Sequence, residues 1–217
     1  MILIVGPFTS RPPFRIMATP QTKTSKLLEM ANKGHIRARD LDDAGIPRAY
    51  LRRLSDRGLL EQVDRGLYRL ADSRVTELHS VAQVAARVPR ATVCLLSALQ
   101  LHQLGTEAPY AVWIMIDRKA RMPKLDRTKV EVVRASGEAR SHGVERREVE
   151  GIEIKLTTPA KTVADCFRYR KHVGLDVALA ALRDYLRKRR GGINALVAAA
   201  KADRVYPLMR PYLEALA

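Results

Sequence analysis

The sequence predicts an α+β protein: an N-terminal winged helix-turn-helix followed by a larger α+β domain with a small sheet and several C-terminal helices. Three observations lead there. Between Thr24 and Leu70, three short helices with apolar faces are followed by two strand-like runs joined at a glycine. After Thr76 the pattern restarts, with helices, separated strands and a second hairpin. From Thr158 onward it is helical. The expected division is 1–21 as a disordered or over-long extension, 22–72 as the winged helix and 77–217 as the second domain.

The start, "MILIVGPFTSRPPFRIMATPQ", holds Pro7, Pro12, Pro13 and Pro20, which oppose regular structure. Its apolar stretch is too short for a signal segment, and Met17 is an alternative start. The first helix is expected at Thr24–Lys33, with Leu27, Leu28 and Ala31 on one face and Gly34 as its stop. Ile36 opens a short strand. A second helix runs over about Arg39–Ala44. Pro47 then suits the first turn of a third, because its missing N–H costs nothing there. Gly58 ends that helix. "LLEQV" and "LYRL" follow, joined through Asp64-Arg65-Gly66, a turn at which glycine is favoured. Leu41, Ala44, Ile46, Leu51, Leu54 and Leu59 are the expected small core.

Asp72–Thr76 reads as a linker. Leu78–Val88 and Ser97–Leu104 read as helices, with Ser97 as a cap. Ala111–Ile116 and Val130–Val133 read as strands, and "RREVEGIEIKL" as a hairpin turning at Glu150-Gly151. Ile152, Ile154 and Leu156 alternate with Glu153 and Lys155. The sheet is therefore antiparallel or mixed. Thr158-Pro159 pairs an N-cap with a first-turn proline and opens a helix reaching about Tyr169. Leu175, Ala178, Leu179, Leu182, Tyr185 and Leu186 line one face of the next, which Gly191-Gly192 ends. Ile193–Ala202 and Pro211–Leu216 complete the chain.

The 217 residues carry 39 Lys/Arg against 23 Asp/Glu, a formal charge of +16. Residues 1–75 hold 14 basic and 8 acidic side chains, and the remainder 25 and 15, so both parts are basic. Such an excess favours a polyanionic partner, although an arginine-rich proteome gives the same composition. Hydrophobic residues at 47% and charged residues at 29% are those of a soluble globular chain, expected in the cytoplasm. No apolar run is long enough to span a bilayer, so no membrane partner is expected. Cys94 and Cys166 lie in apolar surroundings without pairing or metal spacing. The five histidines form no H-x-x-x-H arrangement, and no metal or other cofactor is expected.

The third helix carries the expected chemistry. With Leu51 and Leu54 inward, Arg48 and Arg52 stand four apart on the other side, flanked by Arg53. Arginine pairs bidentately with guanine O6 and N7 when a helix enters the major groove. Tyr50 either contacts a phosphate or fills the core edge. Arg65 at the hairpin tip is placed as a wing residue, and Arg37 and Arg39 suit phosphate contact. Winged folds also serve as protein-binding modules, and a protein-interaction role without DNA remains an alternative.

"GIPRAYLRRLSDRGLLEQVDRGLYRL" resembles the winged helix of AbiEi-type antitoxins. "VPRATVCLLSALQLHQLGTEAPYAVWIMIDRKAR" and "TTPAKTVADCFRYRKHVGLDVALAALRDYLRKRR" resemble that family's C-terminal domain, with "PAKTVADCF" and "SALQLHQLGT" as the more specific signatures. The resemblance runs from about Ser25 to Leu216. It implies a type IV antitoxin that binds inverted repeats in its own promoter and represses it. It also implies a nucleotidyltransferase-like toxin to be counteracted. Inverted repeats require two copies, by dimerisation or cooperative binding.

The second domain offers one enzymatic alternative. Glu153 and Lys155 form an E-x-K on a strand, the core of many metal-dependent nuclease sites, with Asp117 or Asp126 as the missing acid. Alternating charge on a strand is ordinarily a solvated face, so no enzyme is expected. Ser97 and His102 are five apart on one helix and should not meet. Lys161 and Asp165 read as a plain surface pair. Arg183, Arg187 and Arg190 form a stripe that fits helix-end charge, DNA backbone or an acidic partner.

Overall fold

The computed structural model describes residues 22–72, 78–123, 125, 128–188 and 192–216. The extension 1–21, most of the linker, Asp126 and Arg190 lie outside them.

The first unit is a winged helix: α1 (Lys23–Asn32), β1 (Ile36–Arg37), α2 (Asp40–Asp43), α3 (Ala49–Asp56), β2 (Leu60–Asp64) and β3 (Leu67–Leu70). Thr22 caps α1, its Oγ1 accepting the Ser25 N–H at 3.2 Å. The three strands form an antiparallel sheet in the order β1-β3-β2, with Ile36 opposite Tyr68 and Leu60 opposite Leu70. Leu27, Ala31, Ile36, Leu41, Ile46, Leu51, Leu54 and Leu60 make its core. Each such leucine or isoleucine contributes about 1.5–3 kcal/mol by leaving water.

Two details differ from expectation. Helix α3 starts at Ala49, with Arg48 at its N-cap position, because Tyr50 N–H and Leu51 N–H first bond to the carbonyls of Pro47 and Arg48, each at 3.0 Å. The chain enters by a tight turn. At the other end, Gly58 at φ +69° lets Leu59 N–H reach back to the Leu54 carbonyl at 2.9 Å. That reversal leaves Leu59 exposed and points Leu60 inward in its place.

The second region contains α4 (His79–Arg87), β4 (Thr92–Val93), α5 (Leu95–His102), β5 (Val112–Asp117), β6 (Val130–Ala135), α6 (Glu138–Ser141), β7 (Val144–Val149) and β8 (Ile152–Thr157). Then come α7 (Pro159–Arg168), α8 (Arg170–Val173), α9 (Leu175–Arg187), α10 (Gly192–Ala202) and α11 (Tyr206–Leu216). The sheet is mixed, in the order β6-β5-β4-β8-β7, with β5/β6 and β4/β8 parallel. Strand alternation splits it into two packed faces. Val112, Ile114, Ile116, Ile152, Ile154 and Leu156 meet α4 on one face, and Val63 and Leu67 of the wing join the same cluster. Trp113, Met115, Val133 and Ala135 face α5, α7, α9, α10 and α11 on the other.

Ser97 is no cap. Helix α5 begins two residues earlier, and the buried Ser97 Oγ accepts the Trp113 N–H at 2.9 Å. His102 Nε2 donates to the Thr157 carbonyl at 2.7 Å, so the two side chains serve different partners. Pro211 does not start the last helix; it lies within α11. Buried Met209 and Leu213 hold the turns on either side of it, which offsets the one lost backbone bond.

The largest correction concerns Lys161 and Asp165, expected on the surface. Every residue from Ala160 to Phe167 is buried, because α7 runs through the middle of the helical layer and has no solvent face. Lys161 Nζ donates to Asp165 Oδ1, and to Asp203 Oδ1 and Oδ2 at 2.8 and 3.0 Å. Burial alone would discharge Lys161, but the two carboxylates outweigh it and hold its pKa above the ordinary value. Burial pushes Asp165 up.

Candidate nucleic-acid interface

The winged helix brings four of the expected DNA-contacting arginines to one place. Arg37 from β1, Arg39 before α2, Arg48 before α3 and Arg65 at the wing tip line a single open cleft of about 290 Å³. Arg87, at the end of α4, completes it. The local causes are plain. Strand β1 pairs with β3, which sets Arg37 opposite Leu67 and beside the wing. Gly66, at φ +72°, closes the two-residue turn that projects Arg65.

The arginines are not equivalent. Arg48 is held by Asp42 through two bonds, Nε to Oδ1 at 3.2 Å and Nη2 to Oδ2 at 2.5 Å. That contact raises the Arg48 pKa and ties α2 to the start of α3. Arg37 is half-buried; burial first, and Arg39 beside it second, lower its pKa. Its backbone N–H donates to Asp40 Oδ2 at 3.0 Å. Arg39 lies loosely against Asp40, at 3.9 Å. Arg52 and Arg53 do not line the cleft; they stand exposed on α3. The side chain of Arg52 is 90% accessible and only grazes Asp56 at 4.0 Å. Tyr50 is half-buried against the small core.

Sequence reasoning missed Arg87. Its Nε meets Asp64 Oδ2 at 3.2 Å and its Nη1 donates to the Arg65 carbonyl at 3.3 Å. It thus holds the wing tip from the second region. Only the packing of the wing on that region brings it there, so no local pattern marks it.

Arg183 and Arg187 are placed differently. They line a cleft of about 590 Å³ with Leu186, Ile193 and Leu216, in the helical layer on the face of the sheet opposite the wing. Arg187 pairs with Asp184 at 2.7 Å. The stripe therefore does not prolong the arginine cleft. Arg190, its third member, lies outside the described residues.

The nuclease alternative finds no assembled site among the described residues. Glu153 is exposed and paired with Arg146 at 3.0 Å, and Asp117 sits near Arg140 at 3.5 Å. Neither carboxylate belongs to a group of three side chains able to share a metal. Lys155 lines a separate basic cleft with Arg90, Arg140 and Arg146.

Comparison with known proteins agrees with the winged helix. Residues 25–71 match the family model described as "Transcriptional regulator, AbiEi antitoxin". The match bears out the resemblance over that unit; "PAKTVADCF" and the rest of the second region lie beyond the matched residues. No curated protein matches the chain. Among solved structures, the RV2827C protein from Mycobacterium tuberculosis is similar, at 16% identity and a TM-score of 0.48 over 82% of this chain and 79% of that one. Among the described residues, no helix is long and apolar enough to cross a membrane.

Proposed function

We propose that the protein is a DNA-binding transcriptional autorepressor and the antitoxin of a two-gene toxin–antitoxin pair. Two copies occupy inverted repeats in its own promoter and block transcription. The partner gene product is a nucleotidyltransferase-like toxin that the protein counteracts.

The observation that carries this reading is the arginine cleft between the recognition helix and the wing. It supports a division of labour. Arg52 and Arg53, exposed on α3, reach base edges in the major groove, where a bidentate arginine discriminates guanine. Arg37, Arg39, Arg65 and Arg87 neutralise phosphates beside it. Arg48 reaches DNA by exchanging Asp42 for a phosphate or base, so Asp42 sets a threshold against weak, non-specific binding. The match of residues 25–71 to a transcriptional regulator family supports the same reading.

The test is binding of the full chain to its own upstream promoter fragment at two salt concentrations. Affinity should fall steeply, by about 0.9 log–log units per neutralised phosphate. Replacing Arg52 and Arg53 together with alanine should abolish preference for the promoter over unrelated DNA. Equal preference in wild type and variant would refute the reading. Co-expression with the neighbouring gene product tests the antitoxin half: rescue of growth is expected, and undiminished toxicity would remove it.

A further inference from the structure

Outside the arginine cleft, three metal-ligand side chains meet where the winged helix rests on the second region. His35 follows α1, His79 opens α4, and Glu150 stands at the turn of the β7–β8 hairpin. The backbone builds in their approach. His35 N–H donates to the Glu150 carbonyl at 2.8 Å. A Cβ on Gly34 would fall 1.9 Å from that same oxygen, and one on Gly151 would fall 2.7 Å from the Lys33 carbonyl oxygen. Glycine at both positions lets the two main chains touch.

The side chains converge on one point. His79 Nδ1 lies 2.9 Å from Glu150 Oε2, and His35 Nδ1 lies 3.3 Å from the same oxygen. The imidazole rings are 4.8 Å apart between centroids. Side-chain exposure is 2% for His35 and 14% for each of the others. A hydrogen-bond relay orients His79. Thr128 Oγ1 donates to Gln83 Oε1 at 3.1 Å, and Gln83 Nε2 donates to His79 Nε2 at 2.8 Å. His79 Nδ1–H therefore donates to Glu150.

We propose that His35 Nδ1, His79 Nδ1 and Glu150 Oε2 form a zinc(II) site that clasps the winged helix to the second region. Two imidazoles and a carboxylate are a zinc donor set. Tetrahedral bonds of about 2.05 Å place ligand atoms roughly 3.3 Å apart. The two distances to Oε2 are 2.9 and 3.3 Å, and one donor atom from each of the three side chains lies within 4.8 Å of the others. His35 and Glu150 also line a cleft of about 370 Å³ with Asp72 and Arg69, from which water would supply a fourth ligand. Nε and Nη2 of Arg69 donate to Glu61 Oε2 at 3.1 and 2.7 Å, and that carboxylate partly offsets its repulsion of a cation. Binding needs no net loss of a proton from His79: the proton moves from Nδ1 to Nε2, and the Gln83 amide turns to accept it. The sequence hid the set because its members stand at 35, 79 and 150, with no metal-ligand spacing between any two.

The experiment uses the tag-free full chain, stripped with EDTA and kept free of DNA. A negative result therefore leaves the promoter reading untouched. Titration with cobalt(II) should fill one site per chain with a tetrahedral d–d spectrum and no thiolate charge-transfer band. Zinc should then displace the cobalt and raise the melting temperature. Glu150→Gln and His79→Gln should lose the site, whereas His172→Gln, at an exposed histidine outside the cluster, should keep it. Circular dichroism checks that each variant folds. Should the ligand variants fail to fold, Gln83→Ala removes only the support and should weaken zinc binding about tenfold. A wild-type chain without saturable binding at one ion per chain overturns the site. Unaltered affinity in the ligand variants, or in Gln83→Ala where those do not fold, overturns it equally.

Discussion

The arginine cleft of the winged helix and the lysine network of α7 are both built from charges, in opposite surroundings. In the cleft, Arg39, Arg48 and Arg65 are open to water, and even the tightest contact, Arg48 with Asp42, joins two side chains more than half exposed. Around Lys161 no water reaches: Lys161, Asp165 and Asp203 are all buried, and their neighbours are the apolar side chains of α7. A charge in water exchanges partners at little cost, which suits the phosphate-accepting role proposed for this surface. A charge out of water holds its partners, because parting them strands a buried ion. Similar pairings therefore leave charge free to change partners in one place and lock the architecture in the other.

Four variants sharpen that contrast, taken in order of expected effect. Lys161→Met strands two buried carboxylates and should lower stability by about 3–5 kcal/mol in urea unfolding. The pH profile should change with it. Lys161 has its pKa raised by folding, so its contribution is complete below the ordinary value of 10.5 and is lost as pH rises beyond that. The wild type should weaken in strong alkali through this group, and the variant should lack that phase. A small stability loss with an unchanged alkaline limb would contradict the buried network.

Arg65→Ala should leave unfolding unchanged. On the promoter fragment it should cost roughly tenfold in affinity and reduce the salt slope by about one unit. Arg87→Ala removes the brace on the wing. It should cost about 1 kcal/mol of stability and a few-fold in promoter affinity, placing it between the two classes. Arg183→Ala with Arg187→Ala is the smallest case. These residues share neither the cleft nor its face of the sheet, so promoter affinity should stay within about twofold and stability within about 0.5 kcal/mol. A large loss of DNA binding there would mean that the nucleic acid wraps the second region as well.

Features set by neighbouring residues were legible in the sequence. The Thr158-Pro159 start of α7, the turns at Gly66 and Glu150-Gly151, and the alternation of Ile152, Ile154 and Leu156 are local chemistry. The positions of Arg37, Arg39, Arg48 and Arg65 beside helix starts and the hairpin turn are legible in the same way, whereas their meeting in one cleft is not. What escaped depends on distant segments. Nothing near Lys161 announces Asp203, which arrives 42 residues later. Helix α7 also lacks a solvent face, so helical spacing alone placed its ion pair on the wrong side of the surface. Strand β4 is only two residues long, yet it joins the two halves of the sheet. Leu59 and Leu60 exchange roles because one left-handed residue redirects the chain.

The wing is more than a projection into solvent, since Val63 and Leu67 share an apolar cluster with α4 and the sheet of the second region. Winged helix and body therefore share one packed apolar seam at the wing. On the proposed operator of inverted repeats, the gap between half-sites would be measured by the packed second region as well as by the winged helix. Adding half a helical turn of DNA between the repeats would carry the second copy to the opposite side of the duplex. The protein would then act as a ruler for its own promoter.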